Sequence, residues 1–409
     1  MAAWEFVLTA LSLLIALGWA AVLAVSRRNL SLVPPLSRSG GVAGGLTVSI
    51  IVPARNEAGV LPGTLDSLLA QRGLRKEVIL VDDHSTDGTE RVTSRYLGRG
   101  TIYVLPPETP EGWMGKSWAC HVGYLNSRGE WLVFVDADSR MKDETLLSDA
   151  IGMAAAKGLD ALSLIPRLSC SGIASRTMLP TLLMLMYFLA PPSKSNDPSE
   201  RLAFFFGAFI AVRRSAYEKV GGHSAVRSEL LDDKALGELL KASGMRTALV
   251  DASERFEAEF AGTLRDYLGG MTRLFAQYAL DEAKRRGSPA RRLSRYLVGG
   301  LLFLGGPSAL PAIALSTAQH PLVTAMSLLP LAASLTSQAL YLRWMGERVR
   351  YAALAPLAHL AILSALIRVA TSSLVGKVKV RWHGRTYVAD LRSGTLRLEG
   401  GRRSGTGRP

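Results

Sequence analysis

The chain is poor in the residues that carry thiol and imidazole chemistry, with 2 cysteines and 6 histidines among 409 residues. Cys120 and Cys170 share no metal-ligand spacing and the histidines are scattered, so a zinc site is not expected. A cytoplasmic domain would keep both thiols reduced. No G-x-G-x-x-G follows the first apolar run of the interior, where a nicotinamide-binding enzyme needs it. No internal repeat and no RNA- or DNA-binding signature is present, although the formal net charge is +14. The basic residues cluster at the ends of apolar runs. They therefore read as facing anionic lipid headgroups, and nucleic acid is not expected as a partner.

What the chain has in abundance is apolar sequence, with a mean hydropathy of +0.19. Residues 6–25 carry no charge, and about 20 residues at ~1.5 Å each span a ~30 Å hydrocarbon core. Arg27 and Arg28 follow at once. A cleaved signal peptide would carry its charges before the apolar run, so an uncleaved anchor (1–28) with its N-terminus outside is the expectation. Residues 29–45, rich in Pro, Ser and Gly, read as a linker. Three further apolar stretches lie at 296–316, 321–342 and 351–375, bordered by arginines such as Arg291, Arg292, Arg343 and Arg350. These borders favour a multi-pass protein of the plasma membrane with a cytoplasmic domain over 46–260. The end of the chain conflicts with this count. Three spans put the basic tail (377–409) outside, while Lys377, Lys379, Arg381 and Arg385 argue for inside. Either 351–375, with Pro356 and Arg368, is re-entrant or the charge rule is overruled.

Three apolar stretches of the interior run straight into acids: Val78–Val81 before Asp82-Asp83, Trp131–Val135 before Asp136-Ala-Asp138, and Leu230-Leu231 before Asp232-Asp233. A buried carboxylate costs several kcal/mol unless paired or coordinated, so such acids belong on a solvent-facing rim. In open α/β sheets ligands bind at that rim. Strand-like runs at Thr47–Val52, Glu77–Val81, Ile102–Leu105, Trp131–Val135, Phe204–Val212 and Thr247–Val250 alternate with helical spacings, which predicts a parallel sheet covered on both faces. Asp87 and Glu90 are spaced as an N-cap box, and residues 191–200 read as a mobile loop. Ile173–Ala190 reads as an interfacial helix. The stretch 263–285 reads as an amphipathic helix on the membrane, within an interfacial segment 261–295 ahead of the C-terminal membrane helices (296–376).

A divalent cation neutralises a diphosphate leaving group, and Mg²⁺ or Mn²⁺ prefers carboxylate and phosphate oxygens. Asp136-Ala-Asp138 at a strand end suits such an ion. Alone, D-x-D is a weak signal, and the strand before it strengthens it.

The rest of the chain strengthens it further. Val48-Ser-Ile-Ile-Val-Pro-Ala-Arg-Asn-Glu57, Ile79-Leu-Val-Asp-Asp-His-Ser-Thr-Asp-Gly-Thr89, Gly115-Lys116, Gly129-Glu-Trp-Leu-Val-Phe-Val-Asp-Ala-Asp138 and Asp232-Asp-Lys-Ala-Leu236 stand in order. Together they resemble family 2 glycosyltransferases of the GT-A fold, an α/β domain with a Rossmann-like mixed sheet and helices on both faces, here with transmembrane helices at both ends. Gly112-Trp-Met-Gly-Lys-Ser-Trp-Ala119 and the closing Trp382-His-Gly-Arg-Thr-Tyr387 are similar to the hopanoid-associated and carotenoid-acid glycosyltransferase branch. The resemblance implies that Pro53, Ala54 and Glu57 cradle the nucleoside, that Asp82 or Asp83 meets the uracil ring, and that Lys116 lies near the nucleotide. It assigns Asp136 and Asp138 to the metal and diphosphate, Asp233 to the catalytic base, and Asp232 to orienting the base or the acceptor. His121 and His223 receive no role. The Gln-x-x-Arg-Trp of processive polysaccharide synthases is missing, and 255–278 offers Arg265, Arg273 and Gln277 instead.

The expected activity is inverting transfer of a hexose, such as glucose, from a UDP-sugar to a membrane lipid such as a carotenoid or hopanoid. Transfer to a polyprenyl phosphate and a catalytically inactive, transferase-like assembly partner are the alternatives. A lipid acceptor further predicts a groove from the carboxyl edge of the sheet down between membrane helices, lined by Leu183, Tyr187, Leu268 and Phe275.

Overall fold

The computed structural model describes residues 2–38, 45–260, 262–285, 288–317, 320–382 and 384–399. Its strands are β1 (Thr47–Ala54), β2 (Arg75–Asp82), β3 (Thr101–Val104), β4 (Trp131–Phe134), β5 (Ser139–Met141), β6 (Ala161–Ile165), β7 (Arg167–Ser169), β8 (Ile210–Arg213), β9 (Thr247–Asp251), β10 (Phe256–Glu259), β11 (Lys377–Trp382), β12 (Arg385–Asp390) and β13 (Thr395–Leu398). Seven of them form one sheet in the order β3-β2-β1-β4-β8-β6-β9. Ile50 and Ile51 of β1 and Val78 to Val81 of β2 are fully buried, and each such side chain contributes roughly 1.5–3 kcal/mol. The apolar runs are continuous, not alternating, because helices cover both faces.

The sheet is mixed. β8 runs antiparallel to both β4 and β6, whereas β1 pairs in parallel with β2 and β4. Consecutive strands are laid down outward from β1 to β3, and β4 then returns to the other side of β1. That reversal opens a crevice at the carboxyl ends of β1, β2 and β4. Three-stranded β5-β10-β7 flanks this edge.

Several local expectations are corrected. The run Phe204–Val212 is a strand only from Ile210, because the backbone amides of Phe204 and Phe206 donate to the hydroxyls of Ser195 and Ser163 rather than to a ladder. Residues 191–200 contain a short 3₁₀ helix, Pro192–Asn196, pinned where the Asn196 amide brackets Leu249 on both sides. No N-cap box forms at Asp87. The helix Thr89–Thr93 begins after Gly88 (φ 94°), and Asp87 instead accepts from the amides of Thr89 and Ala58. Pro356 does not break the last apolar helix; it lies in the first turn of Ala355–Val375, where proline lacks no needed donor. Residues 377–398, read from sequence as a basic tail, contain the antiparallel sheet β11-β12-β13.

Among the described residues, four helical stretches are long and apolar enough to cross a membrane: Ala3–Ser31, Ala290–Thr317, Pro321–Met345 and Val349–Val375. Trp19, near the middle of the first, stacks on Phe303 and against His359 with ring centroids 4.7 and 4.8 Å apart. The helix Ile173–Leu189 packs between these stretches and the sheet domain, through Gln338, which accepts from Thr181 and donates to the carbonyl of Thr177.

Candidate active site

The ends of β1, β2 and β4 deliver their side chains to one crevice. Ala54 pairs with Asp82 in register, and the amide of Asp83 donates to the carbonyl of Ala54. Asn56 just beyond β1 takes φ 57°. This left-handed turn brings Glu57 over the sheet edge, where its amide donates to Thr89. After β4 the chain turns through Asp136-Ala137-Asp138. Thr64 holds the carbonyl of Ala137, so Asp136 and Asp138 are presented from a fixed loop.

Asp82 and Asp83, indistinguishable in sequence, have different places. Asp82 is buried, with its carboxylate accepting from the Tyr103 hydroxyl at 3.0 Å and the Ser85 amide at 2.9 Å. It holds the turn. Asp83 lines the crevice, as do Pro53, Ala54, Glu57, Lys116, Asp136, Asp138, Asp232 and Asp233.

Lys116, in the first turn of the helix Gly115–Leu125, lies 2.6 Å from Asp136 Oδ1. Burial alone would lower its ammonium pKa, but Asp136, Asp232 and Asp233 raise it above the usual range. Asp233 stands in the first turn of the helix Asp232–Ala242. One carboxylate oxygen accepts from the amide of Gly207 at 3.0 Å and the other from that of Lys234 at 2.7 Å. Burial, then the neighbouring Asp232, pushes the Asp233 carboxyl up to about 6. A carboxyl with that value is suited to take a proton near neutral pH.

Sequence reasoning missed Gly207. A Cβ there would lie 2.9 Å from Lys116 Nζ, 3.2 Å from Asp136 and 3.3 Å from Asp233, so this glycine marks the point where donor-side and base-side groups converge. It was hidden because Phe204–Val212 reads as a strand. Glu259 was also missed. It ends β10, lines the same crevice, and its amide donates to the carbonyl of Asp138. Burial, then the Asp138 and Asp136 charges, pushes Glu57 up to about 8, with Glu259 adding to the effect. Burial and Asp136 likewise raise Asp138. So many oxygens repelling one another in one place fit a hard divalent cation.

Behind Asp232 lie two residues that the sequence left without a role. His223 Nε2 is 3.8 Å from Asp232 Oδ2, and its Nδ1 is 2.9 Å from the Tyr217 hydroxyl. Cys120, His223 and Asp232 place ligand-type atoms within 4.8 Å of one another. Burial lowers the imidazole to about 4 and raises the Cys120 thiol, so both are neutral near pH 7. Arg273 of the helix Leu264–Lys284 also lines the crevice. Burial lowers its guanidinium, although Asp233, Asp232 and Asp136 face it.

The crevice is one end of a cavity of about 2460 Å³. The other end runs between the apolar helices, where Val22, Leu183, Leu268, Phe275, Phe303 and Leu366 line it. Tyr187 departs from expectation. It turns away into the core that includes Leu30 and Tyr341.

Residues 49–221 match the family described as Glycosyl transferase family 2. Over these residues the chain is similar to a family 2 glycosyltransferase domain. It is 27% identical over 226 residues to the 4,4'-diaponeurosporenoate glycosyltransferase of Staphylococcus haemolyticus, covering 55% of this chain and 58% of that protein. To the enzyme of the same name from Staphylococcus aureus it is 30% identical over 198 residues, 46% of this chain and 50% of the other. The chain thus spans little more than half the length of these relatives. A mannosyltransferase from Pyrobaculum calidifontis in complex with GDP-Man and Mn²⁺ aligns over 86% of this chain and 99% of its own, with a TM-score of 0.54 and 22% identity. The transferase domain has the GT-A fold.

Proposed function

We propose that this transferase moves a hexose from a UDP-sugar, with inversion, to a hydrophobic acceptor drawn from the membrane, of the carotenoid-acid or hopanoid class. The observation that carries this reading is the continuity of the cavity, acidic at the sheet edge and apolar between the helices. A long-chain acceptor that stays in such a groove avoids exposing its chain to water, worth about 0.8 kcal/mol per CH₂. The relatives named for 4,4'-diaponeurosporenoate support an acceptor of that kind.

Asp136 and Asp138, with Glu57 and Glu259 beside them, would hold Mg²⁺ or Mn²⁺; when bound, the ion neutralises charge on the diphosphate. Lys116 adds a fixed positive charge on the same side. Where the acceptor is a hydroxyl, Asp233 takes its proton as that oxygen attacks the anomeric carbon and the bond to the diphosphate breaks; a carboxylate acceptor is already ionised and attacks without that transfer. Asp232, backed by His223, orients the base. Arg265, Arg295 and Arg368 also line the cavity, which favours an acceptor with an anionic head, a carboxylate or, as a second reading, a polyprenyl phosphate.

The domain lies on the cytoplasmic face in this reading, and only three of the four apolar helices cross. His320, between the second and third, donates its amide to Glu5 at the far end of the first. At the near end Met345 and Glu347 meet Arg167 and Arg176 of the transferase region. The last helix then begins at mid-depth, with His359 against Trp19, and ends at β11, whose sheet returns to the active site. It is re-entrant, so the arginine-rich borders and the final sheet share one side.

The test is to incubate membranes with labelled UDP-glucose and GDP-mannose, with and without chelator, and extract lipid. Label in an apolar product from the UDP donor supports the reading. Label only in water-soluble product overturns the acceptor, and transfer only from GDP-mannose overturns the donor.

A further inference from the structure

The C-terminal sheet reaches back across the whole chain to the nucleotide end of the crevice. Arg385, at the start of β12, places Nη1 2.5 Å and Nη2 2.9 Å from the two carboxylate oxygens of Asp83. Both side chains are largely buried, 15% and 5% exposed. Two residues later on the same strand, the Tyr387 hydroxyl accepts the amide hydrogen of Gly115 at 3.2 Å. That amide belongs to the first residue of the Lys116 helix, where backbone donors have no partner within the helix. The glycine is required by the contact itself. A Cβ at 115 would stand 2.1 Å from Arg385 Nη1 and 2.6 Å from Asp83 Oδ2.

We propose that β11-β12-β13 is part of the donor site, with Arg385 positioning Asp83 for the nucleobase and Tyr387 positioning Gly115 and Lys116. The inference rests on the transferase reading and adds to it residues from outside the matched domain. Arg385 holds Asp83 by a two-point fork, which fixes the plane of the carboxylate as one hydrogen bond cannot. Asp83, Arg385 and Tyr387 all line the cavity, and each carboxylate oxygen can accept more than the one hydrogen bond that the fork uses, although Arg55 Nη1 also stands 3.8 Å from Asp83 Oδ2. An acceptor oxygen held beside a guanidinium donor is complementary to an imide edge, an N–H next to a C=O. Uracil and guanine present that edge. Neutral cytosine and adenine do not, so the pair selects the base as well as binding it.

The experiment uses the full chain purified in detergent with Mn²⁺, titrated calorimetrically with UDP, CDP and ADP, alongside donor KM and kcat. Wild type is expected to bind UDP and to discriminate against CDP and ADP. Arg385→Ala should weaken UDP binding about 10- to 100-fold, the scale of hydrogen bonds to a charged group, and reduce the discrimination. Arg385→Lys, which keeps the charge without the fork, should fall between. Tyr387→Phe should raise donor KM by a smaller factor. Asp83→Asn combined with Arg385→Ala should be no weaker than the worse single variant. A merely structural role would lower the melting temperature and leave UDP affinity and base preference unchanged in the folded fraction; that result overturns the inference. If Arg385→Ala does not fold, Arg385→Lys and Tyr387→Phe with wild-type UDP affinity and base preference overturn it equally. Wild type that binds no nucleotide overturns the transferase reading instead.

Discussion

The two ends of the cavity are built by opposite rules. At the sheet edge nearly every side chain is fixed by a named partner: Asp82 by Tyr103 and Ser85, Asp83 by Arg385, Asp136 by Lys116, Asp233 by Gly207. Between the helices the lining is mostly leucine, phenylalanine, valine and glycine, with Arg295, Tyr296 and Arg368 among them. Polar partners set position to tenths of an ångström, whereas apolar packing sets shape and volume. Chemistry should therefore be brittle to substitution at the first end, and acceptor choice should be graded at the second.

The largest effect is expected from the acidic cluster that raises Glu57 and Asp138. Chelation should abolish transfer. Asp138→Ala should cut both turnover and nucleotide affinity while leaving the melting temperature near that of wild type, since the residue stands at a rim. Undiminished transfer in excess EDTA would remove the metal from the site.

Next comes the base. Asp233→Asn keeps shape and removes the proton acceptor, so with a hydroxyl acceptor the rate should fall on the order of 10²–10⁴ with UDP affinity retained. The wild-type rate should fall as pH drops through about 6, because the folded carboxyl is raised to about that value and only its ionised form accepts a proton. Charge supplied by a bound cation near Asp136 moves that limb to lower pH. The asparagine variant should lose the limb. A carboxylate acceptor needs little help from a base, so a mild defect would identify one.

Gly207→Ala tests the convergence point. The new methyl would displace the end of Lys116 from Asp136 and crowd Asp233, and a displacement of this size costs roughly 10- to 100-fold in turnover. Equal loss of rate with a wild-type pH limb would place the damage at Lys116 rather than at the base.

How much of this was legible follows the same division. The ends of β1, β2 and β4 were readable because an apolar run stopping at an acid has one cheap resting place, a strand end on a rim. Asp82 and Asp83 could not be separated, since the partners that distinguish them, Tyr103 and Arg385, lie 21 and 302 residues away. Gly207 and Glu259 were missed for another reason. Gly207 sits in a run that reads as a strand, and only tertiary hydrogen bonds to Ser195 and Ser163 make it irregular; Glu259 lies beyond Thr247–Val250, the last strand-like run of the sequence. The membrane end gave Leu183, Leu268 and Phe275 but also Tyr187, because an apolar pattern shows that a side chain is buried and not which way it points.

The smallest effect should come from that end, and it is the sharpest test of the contrast. Leu268 lies on the helix Leu264–Lys284, whose Arg273 faces the acids of the active site. Leu268→Asn keeps volume and removes apolar contact with whatever fills the groove. If a lipid chain lies there, about 1 kcal/mol of lost contact corresponds to a roughly 5-fold rise in acceptor KM. Donor KM and the pH limb of Asp233 should not move. A truncated acceptor with the same head and a short tail should show no difference between wild type and variant, because its tail never reaches residue 268. A change confined to donor KM would mean that the apolar end shapes the nucleotide site instead. Equal behaviour of the long acceptor in both proteins would mean that the chain leaves the groove by another route.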